Sequence, residues 1–347
     1  MSTKLIRTML TGTAAAVVIA AGIGTATAQA PSCPTMRKIN VGVAVSPPNV
    51  VHTAPYVAKA LGFFAKRCID ANVIQFEGGQ SQTANVAVAQ GTAIISVSDV
   101  AVGRGVKVQQ IWGLAPRMPH AYMVAEGIKS AKDLKGKRLS ATGCGVGGFN
   151  WRMGREVLRS AGLDVGDAQF IPSPTAGRLP GLLTGQIDAV ALHPEDVYLA
   201  QQKKPGLQPL VYLADVLPGY MFNAYGASLD WIARDRPLLR DTGAAMIEAN
   251  RAMYKEKDKV IPIIMEATRK PKDAVEYSWT TLTKNCIWSV NTGFDPKRTQ
   301  WTIDNSVANG DIEEAKKPTV ERVANIALAE EAVELAGGRV TIGSCTI

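Results

Sequence analysis

One order of strand-like and helix-like segments occurs twice in this 347-residue chain, near 38–100 and again near 138–200, and it limits the fold more than any other feature. In the first copy Lys38-Ile39-Asn40-Val41-Gly42-Val43-Ala44-Val45 alternates and is rich in β-branched residues, so it reads as a strand, stopped by Pro47-Pro48. His52 to Phe64 then sets Tyr56, Val57, Ala60 and Leu61 on one helical face, with Gly62 near its end. A strand at 72–76, a helix at 81–89 and a strand at 93–97 complete the unit. The second copy reads as strand 138–142, glycine loop 143–148, helix 151–161, strand 169–171, short helix 177–185 and strand 189–192. A β-α-β-α-β order implies parallel strands joined by right-handed crossovers. Beyond about Tyr220 the chain reads as largely helical, at 237–255, 260–268, 272–283, 297–309 and 319–336. Two α/β lobes followed by helices that must pack on one of them is the predicted arrangement.

Ahead of the repeats, Lys4 and Arg7 precede a stretch of apolar or small residues from Met9 to Ile23. Ala26-Thr27-Ala28 and Ala28-Gln29-Ala30 both place small residues where signal peptidase requires them. A secretory signal over residues 1–30, cleaved after Ala28 or Ala30, is expected; an uncleaved anchor is the alternative. Export lets cysteines pair. Of the pairings open to five cysteines, Cys33–Cys68 and Cys286–Cys345 are expected, the second tying down the tail and leaving Cys144 as the odd thiol. The net charge of +8, to which Lys4 and Arg7 contribute two, is spread out. No window carries the run of like charges of a nucleic-acid arm, so no nucleic-acid partner is expected.

Ligands of open parallel sheets bind beyond the carboxyl ends of the strands. In the first lobe that rule selects Ser46, Asn49 and His52, then Gly79, Gln80 and Ser81, then Ser98 and Asp99. In the second it selects Cys144, Gly145, Val146, Gly147, Phe149 and Asn150, then Thr175 and Arg178, then His193 and Glu195. Gly143 to Gly148 satisfies G-x-G-x-x-G, yet the next strand ends at Ile171-Pro172-Ser173 without the acid that would hold a ribose. Phe149-Asn150 stands where a P-loop needs Lys-Ser/Thr. What remains is a glycine loop feeding a helix N-terminus, where an anion is favoured. His52, His120 and His193 lie in different segments, so no zinc triad is expected. No G-x-S-x-G elbow occurs, no catalytic set is assembled and no cofactor is expected. Glu195 is expected to face the cleft, and Asp196 to cap a helix beginning at Val197.

Ala54-Pro55-Tyr56-Val57-Ala58-Lys59-Ala60-Leu61-Gly62-Phe63-Phe64 resembles the P-x-Y-V-A-K-x-x-G-x-F helix of periplasmic substrate-binding proteins of ABC importers, in the nitrate/sulfonate/taurine and thiamine-pyrimidine group. Phe76-Glu77-Gly78-Gly79, Ala89-Gln90-Gly91-Thr92-Ala93 and Leu183-Thr184-Gly185-Gln186-Ile187-Asp188-Ala189 fit the same pattern. His193-Pro194-Glu195 stands where the family usually carries Trp-Glu-Pro, which removes an aromatic platform. The resemblance implies an α/β, type II-like, two-lobed binding protein. Lobe 1 would comprise 31–115 and 223–347, and lobe 2 would comprise 116–222. Two crossover hinges would lie near Gly113–Met118 and Val216–Ala224, with the helical C-terminal region packed on lobe 1. It further implies a periplasmic monomer that performs no chemistry. Such a protein captures a small-molecule ligand and hands it to an ABC permease in the inner membrane. For the ligand, a small organic anion (sulfonate, carboxylate or aromatic acid) is expected, with Arg178 and Arg152 assisting. Glu195 and Asp99 would instead suit an amine-bearing heterocycle such as a thiamine pyrimidine precursor, and an enzyme on the same fold is the remaining alternative.

Overall fold

A computed structural model describes residues 33–77, 88, 90, 93–141 and 145–347, and Cys33–Ile347 form one compact unit. The expected signal segment, Gly79, Gln80, Ser81 and Cys144 lie outside the described residues.

Strands β1 (Arg37–Val43) and β2 (Ile69–Gln75) pair in parallel, with Val41 opposite Val73, and a bridge from Val41 to Ile94 leads toward β3 (Ile95–Ser96). Strand β4 (Val108–Ala115) pairs with the much later β10 (Asn223–Ser228), which also pairs with β3. Between them the chain builds a five-stranded sheet from β5 (Ala121–Val124), β6 (Arg138–Ser140), β7 (Gln169–Ile171), β8 (Ala189–Leu192) and β9 (Gln208–Tyr212), in the order β7-β6-β8-β5-β9. The chain therefore crosses between lobes twice, over 116–120 and back over 217–222.

Helices cover both faces of the second sheet, and period-two alternation decides which residues meet them. Tyr122, Val124, Ala189 and Ala191 pack with Met153 and Val157 of α3 (Phe149–Arg159); here α1 is Ala54–Ala60 and α2 is Asp99–Gly103. Met123, Val190 and Leu192 pack instead with Leu182 of α4 (Arg178–Thr184) and Val197 of α5 (Pro194–Lys203). In the first lobe, Val41, Val50, Ala58 and Ile94 share a core with Met246 and Met253 of α6 (Arg236–Lys255), Val260 of α7 (Lys257–Thr268) and Leu282 of α8 (Lys272–Lys284). The helical C-terminal region thus packs on the first lobe. It also includes α9 (Pro296–Ala308) and α10 (Ile326–Leu335). Cys33–Cys68 and Cys286–Cys345 are disulfide-bonded, the pairing expected.

Several boundaries differ from the sequence reading, three of them at helices. The segment expected as one helix from His52 to Phe64 is a 3-10 turn at Val50–His52, then α1, then a second 3-10 turn at Ala65–Arg67. The region 319–336 is broken by an extended Ala324 between Val320–Val323 and α10. The helix expected to begin at Val197 begins at Pro194, with His193 at its N-cap, so Asp196 sits in the first turn rather than capping it.

Where β4 leads into the first crossover, Gly113 donates its N–H to the Thr292 carbonyl at 2.9 Å. A Cβ on Gly113 would lie 2.3 Å from the Gly293 carbonyl oxygen, and Gly293 itself needs a left-handed backbone (φ +69°). Gly113→Ala is expected to cost about 3 kcal/mol. Thermal unfolding checks this; an unchanged Tm would mean the two backbones are not held this close.

Candidate functional site

The two lobes touch across a cleft whose cavity measures about 670 Å³. Its lining includes His52, Ser98, Asp99, Gly147, Phe149, Asn150, Thr175, Arg178 and His193 from the sequence-derived set. Ser46, Asn49, Gly145, Val146 and Glu195 lie outside that lining. Ser46 donates to Gln75 Oε1 at the surface, and Val146 is 78% exposed.

Asn49 and Glu195 do structural work at the lobe contact. Glu195 is fully buried at the start of α5. Its Oε1 accepts from Asn49 Nδ2 at 2.8 Å and from Val50 N–H at 3.1 Å, and its Oε2 accepts from Ser278 Oγ at 2.8 Å. Burial, then the Asp196 charge, push its pKa up, while Asn49 and Ser278 oppose them. Its oxygens point to the opposite lobe's backbone and side chains, which corrects the expectation that Glu195 faces the ligand. Beside it, Lys270 pairs with Asp196, and Thr175 N–H donates to Glu77 Oε1 at 2.5 Å.

Arg178 opens α4 and is buried. Its Nη2 donates to Asn49 Oδ1 at 2.9 Å and its Nε to the Thr175 carbonyl at 3.1 Å, which fixes the guanidinium plane against the cavity wall. Burial pulls its pKa down, opposed by Asp196, Glu195 and Glu77; a guanidinium nevertheless stays protonated in proteins. At the other end, Ser98 caps α2 by accepting from Ala101 N–H, and Asp99 Oδ2 accepts from Ser306 Oγ at 2.6 Å. Burial pushes Asp99 up, partly offset by Ser306 and Arg152. Gly145 and Gly147 adopt left-handed conformations (φ +68° and +81°) with open space around a notional Cβ, so the loop turns sharply into α3. Gly148 is the N-cap of α3, and Phe149, Asn150 and Arg152 in its first turns line the cavity.

The structure brings together what the sequence scattered. His52 ends the 3-10 turn after β1, His120 lies at the end of the first crossover, and His193 caps α5. His120 and His193 share an Nε2···Nε2 hydrogen bond of 3.1 Å, and the His52 ring stands edge-on to His193 at 5.4 Å. Burial, then Arg178, lowers His52 to about 3. Burial first, then neighbouring cations and imidazoles, holds His120 and His193 well below the ordinary value of 6.5. All three rings are therefore neutral near pH 7. Among the described residues, no group of three His, Cys, Asp or Glu side chains is placed to hold a metal ion. His120, Gln110, Tyr220 and Phe222 line the cavity but were not selected from the sequence. The crossover expected near Val216–Ala224 was the available signal for the last two, because a connection between lobes flanks the cleft.

Two α/β lobes joined by two crossovers, with a cavity between them, define the periplasmic-binding-protein fold. The family model described as NMT1/THI5 like matches residues 49–270, and the chain belongs to that family. Among solved structures, a protein of Bordetella bronchiseptica RB50 superposes with a TM-score of 0.70 at 18% identity, covering 87% of this chain and 98% of that one. The periplasmic nitrate-binding protein NrtA from Synechocystis PCC 6803 gives 0.68 at 13% identity, covering 86% and 89%. The alkanesulfonate-binding protein SsuA from Xanthomonas axonopodis pv. citri, bound to MOPS, gives 0.63 at 16% identity, covering 85% and 99%. The desulfurization enzyme DSZB shares the fold at 0.59 and 15% identity, covering 86% and 99%. No curated protein matches the chain by sequence.

Proposed function

We propose that this chain is the extracytoplasmic solute-binding component of an ABC import system. It captures a small organic anion between lobe 1 (31–115 and 223–347) and lobe 2 (116–222) and releases it unaltered to an inner-membrane permease. The observation that carries this reading is the charge of the cavity wall. The wall carries Arg104, Arg152 and Arg178 against the two carboxylates of Asp99 and Asp311, and Asp311 is already taken up by a two-pronged pair with Arg155. The three histidines add no charge, and the N-terminus of α3 adds a favourable dipole for an anion. Glu195, which would repel an anion, is occupied at the lobe contact.

The basic start, the apolar stretch and the two alanine-rich cleavage sequences support export to the periplasm. No helix among the described residues is long and apolar enough to cross a membrane. Asp99 on the cavity wall favours a second reading, an amine-bearing heterocycle, but Ser306 and Arg152 already face that carboxylate.

A screen of nitrate, sulfonates, aromatic acids and aminopyrimidines by thermal shift and calorimetry tests the proposal. One-to-one binding of an anion is expected, with stabilisation following RT ln(1 + [L]/Kd) and full recovery of the solute. Turnover of the solute, or binding confined to aminopyrimidines, would overturn it.

A further inference from the structure

The cavity wall contains a continuous ring surface that no single segment supplies. Phe222, in the returning crossover, contacts the rings of His120 at 4.8 Å, Phe149 at 5.7 Å, His52 at 6.0 Å and His193 at 6.2 Å between centroids. His120 also contacts Phe149 at 4.9 Å. All these separations fall in the range where aromatic groups attract through offset or edge-to-face geometry. His52 comes from the first lobe and the other imidazoles and Phe149 from the second, so the surface is complete only while the lobes touch.

Volume bears on what sits against these rings. The cavity of about 670 Å³ is many times the roughly 10–15 Å³ needed to hold one water, so it has room for many waters. An ion as small as nitrate, or a two-carbon sulfonate, would leave most of that water in place beside half-buried apolar rings. An acid built on a ring would displace it, and the arginines and the α3 N-terminus would still meet its charged group.

Resting on the anion-binding reading above, we propose that the cavity selects an anion carried on a flat ring, an arene- or heteroarene-carboxylate or -sulfonate, and that Phe222 is the residue that senses the ring's flatness. A puckered ring of equal size fills the same space, but it offers neither a face for stacking nor the polarised edge that an aromatic neighbour attracts.

The test compares benzenesulfonate with cyclohexanesulfonate, and benzoate with cyclohexanecarboxylate, by calorimetric titration of the full mature chain. Each flat acid is expected to bind at least tenfold more tightly than its puckered partner. Phe222→Leu, which keeps apolar volume, should erase that difference, bringing the flat acids down to the affinity of their puckered partners. Equal affinity for flat and puckered acids in the unaltered protein overturns the inference without needing any variant to fold, and leaves the anion reading intact. A tenfold preference that persists in Phe222→Leu overturns the role given to Phe222. Failure of all four acids alongside binding of 4-aminopyrimidine would remove the anion reading itself.

Discussion

Arg178→Met is expected to weaken binding of the anionic solute about a hundredfold. Arg178 is a buried cation in the cavity wall, held in plane by Asn49 and the Thr175 carbonyl. Hydrogen bonds to charged groups contribute about 1.5–3 kcal/mol each, and 2.8 kcal/mol corresponds to a hundredfold in Kd. The loss has a second source. Asn49 links Arg178 to Glu195, so removing the guanidinium also loosens one of the contacts between lobes. Arg178→Lys should fall between, because an ammonium keeps the charge but lacks the fork that serves two acceptors at once. Calorimetric titration at pH 7.5 measures all three proteins. An unchanged Kd in Arg178→Met would transfer the argument to the amine reading, and improved binding of an aminopyrimidine in that variant would complete the transfer.

Acidification from pH 7.5 to 5.5 is expected to lower Tm through the three histidines. Above about 6.5 these rings are neutral in the folded and the unfolded chain, so their contribution is fully present. Below that value the unfolded chain takes up protons that the buried cluster refuses, and stability falls by up to about 1.4 kcal/mol per pH unit for each histidine. For His52 the fall continues toward its depressed value of about 3. Arg178 and Lys270 face the cluster and oppose its protonation; Asp196 is engaged by Lys270, and Glu195 by Asn49 and Ser278. Asp99 and Glu195 act with the opposite sign, since their raised values let the folded chain bind protons first as the pH falls. The histidine share is isolated by comparing the wild type with His52→Gln at pH 7.5, 6.5 and 5.5. A slope identical in the two proteins would assign the pH dependence to other groups.

Much of the fold was legible because its signals are local. Strands β7 and β8 were read at their observed limits, since helix-breaking residues bracket both and the alternation of the unit had already set their place. Strands β4, β5, β9 and β10 were missed, and for β4, β5 and β10 the reason is definite. All of β5 and β10, and nearly all of β4, is buried, so no polar face remains to mark a period of two. The omission of β10 matters most, because that strand returns the chain to the first lobe within the region read as largely helical.

The site was legible in position more than in contact. Strand ends selected His52, Arg178 and His193, but nothing in a one-dimensional spacing states that His120 would meet His193. Separation along the chain excluded a triad on grounds that do not apply in space, where three different strand ends open on one cleft. The same limit governed Glu195: its place at the start of a helix was visible, its partner Ser278, 83 residues later, was not.

Phe222 belongs at once to the cavity wall and to the stretch of backbone on which the chain re-enters the first lobe. On the proposed reading, a guest resting on its ring would push directly on that crossover. Filling the chamber and setting the angle between the halves would then be a single mechanical variable, and a membrane partner reading the outer shape would need no relay of side chains to learn whether a passenger is aboard.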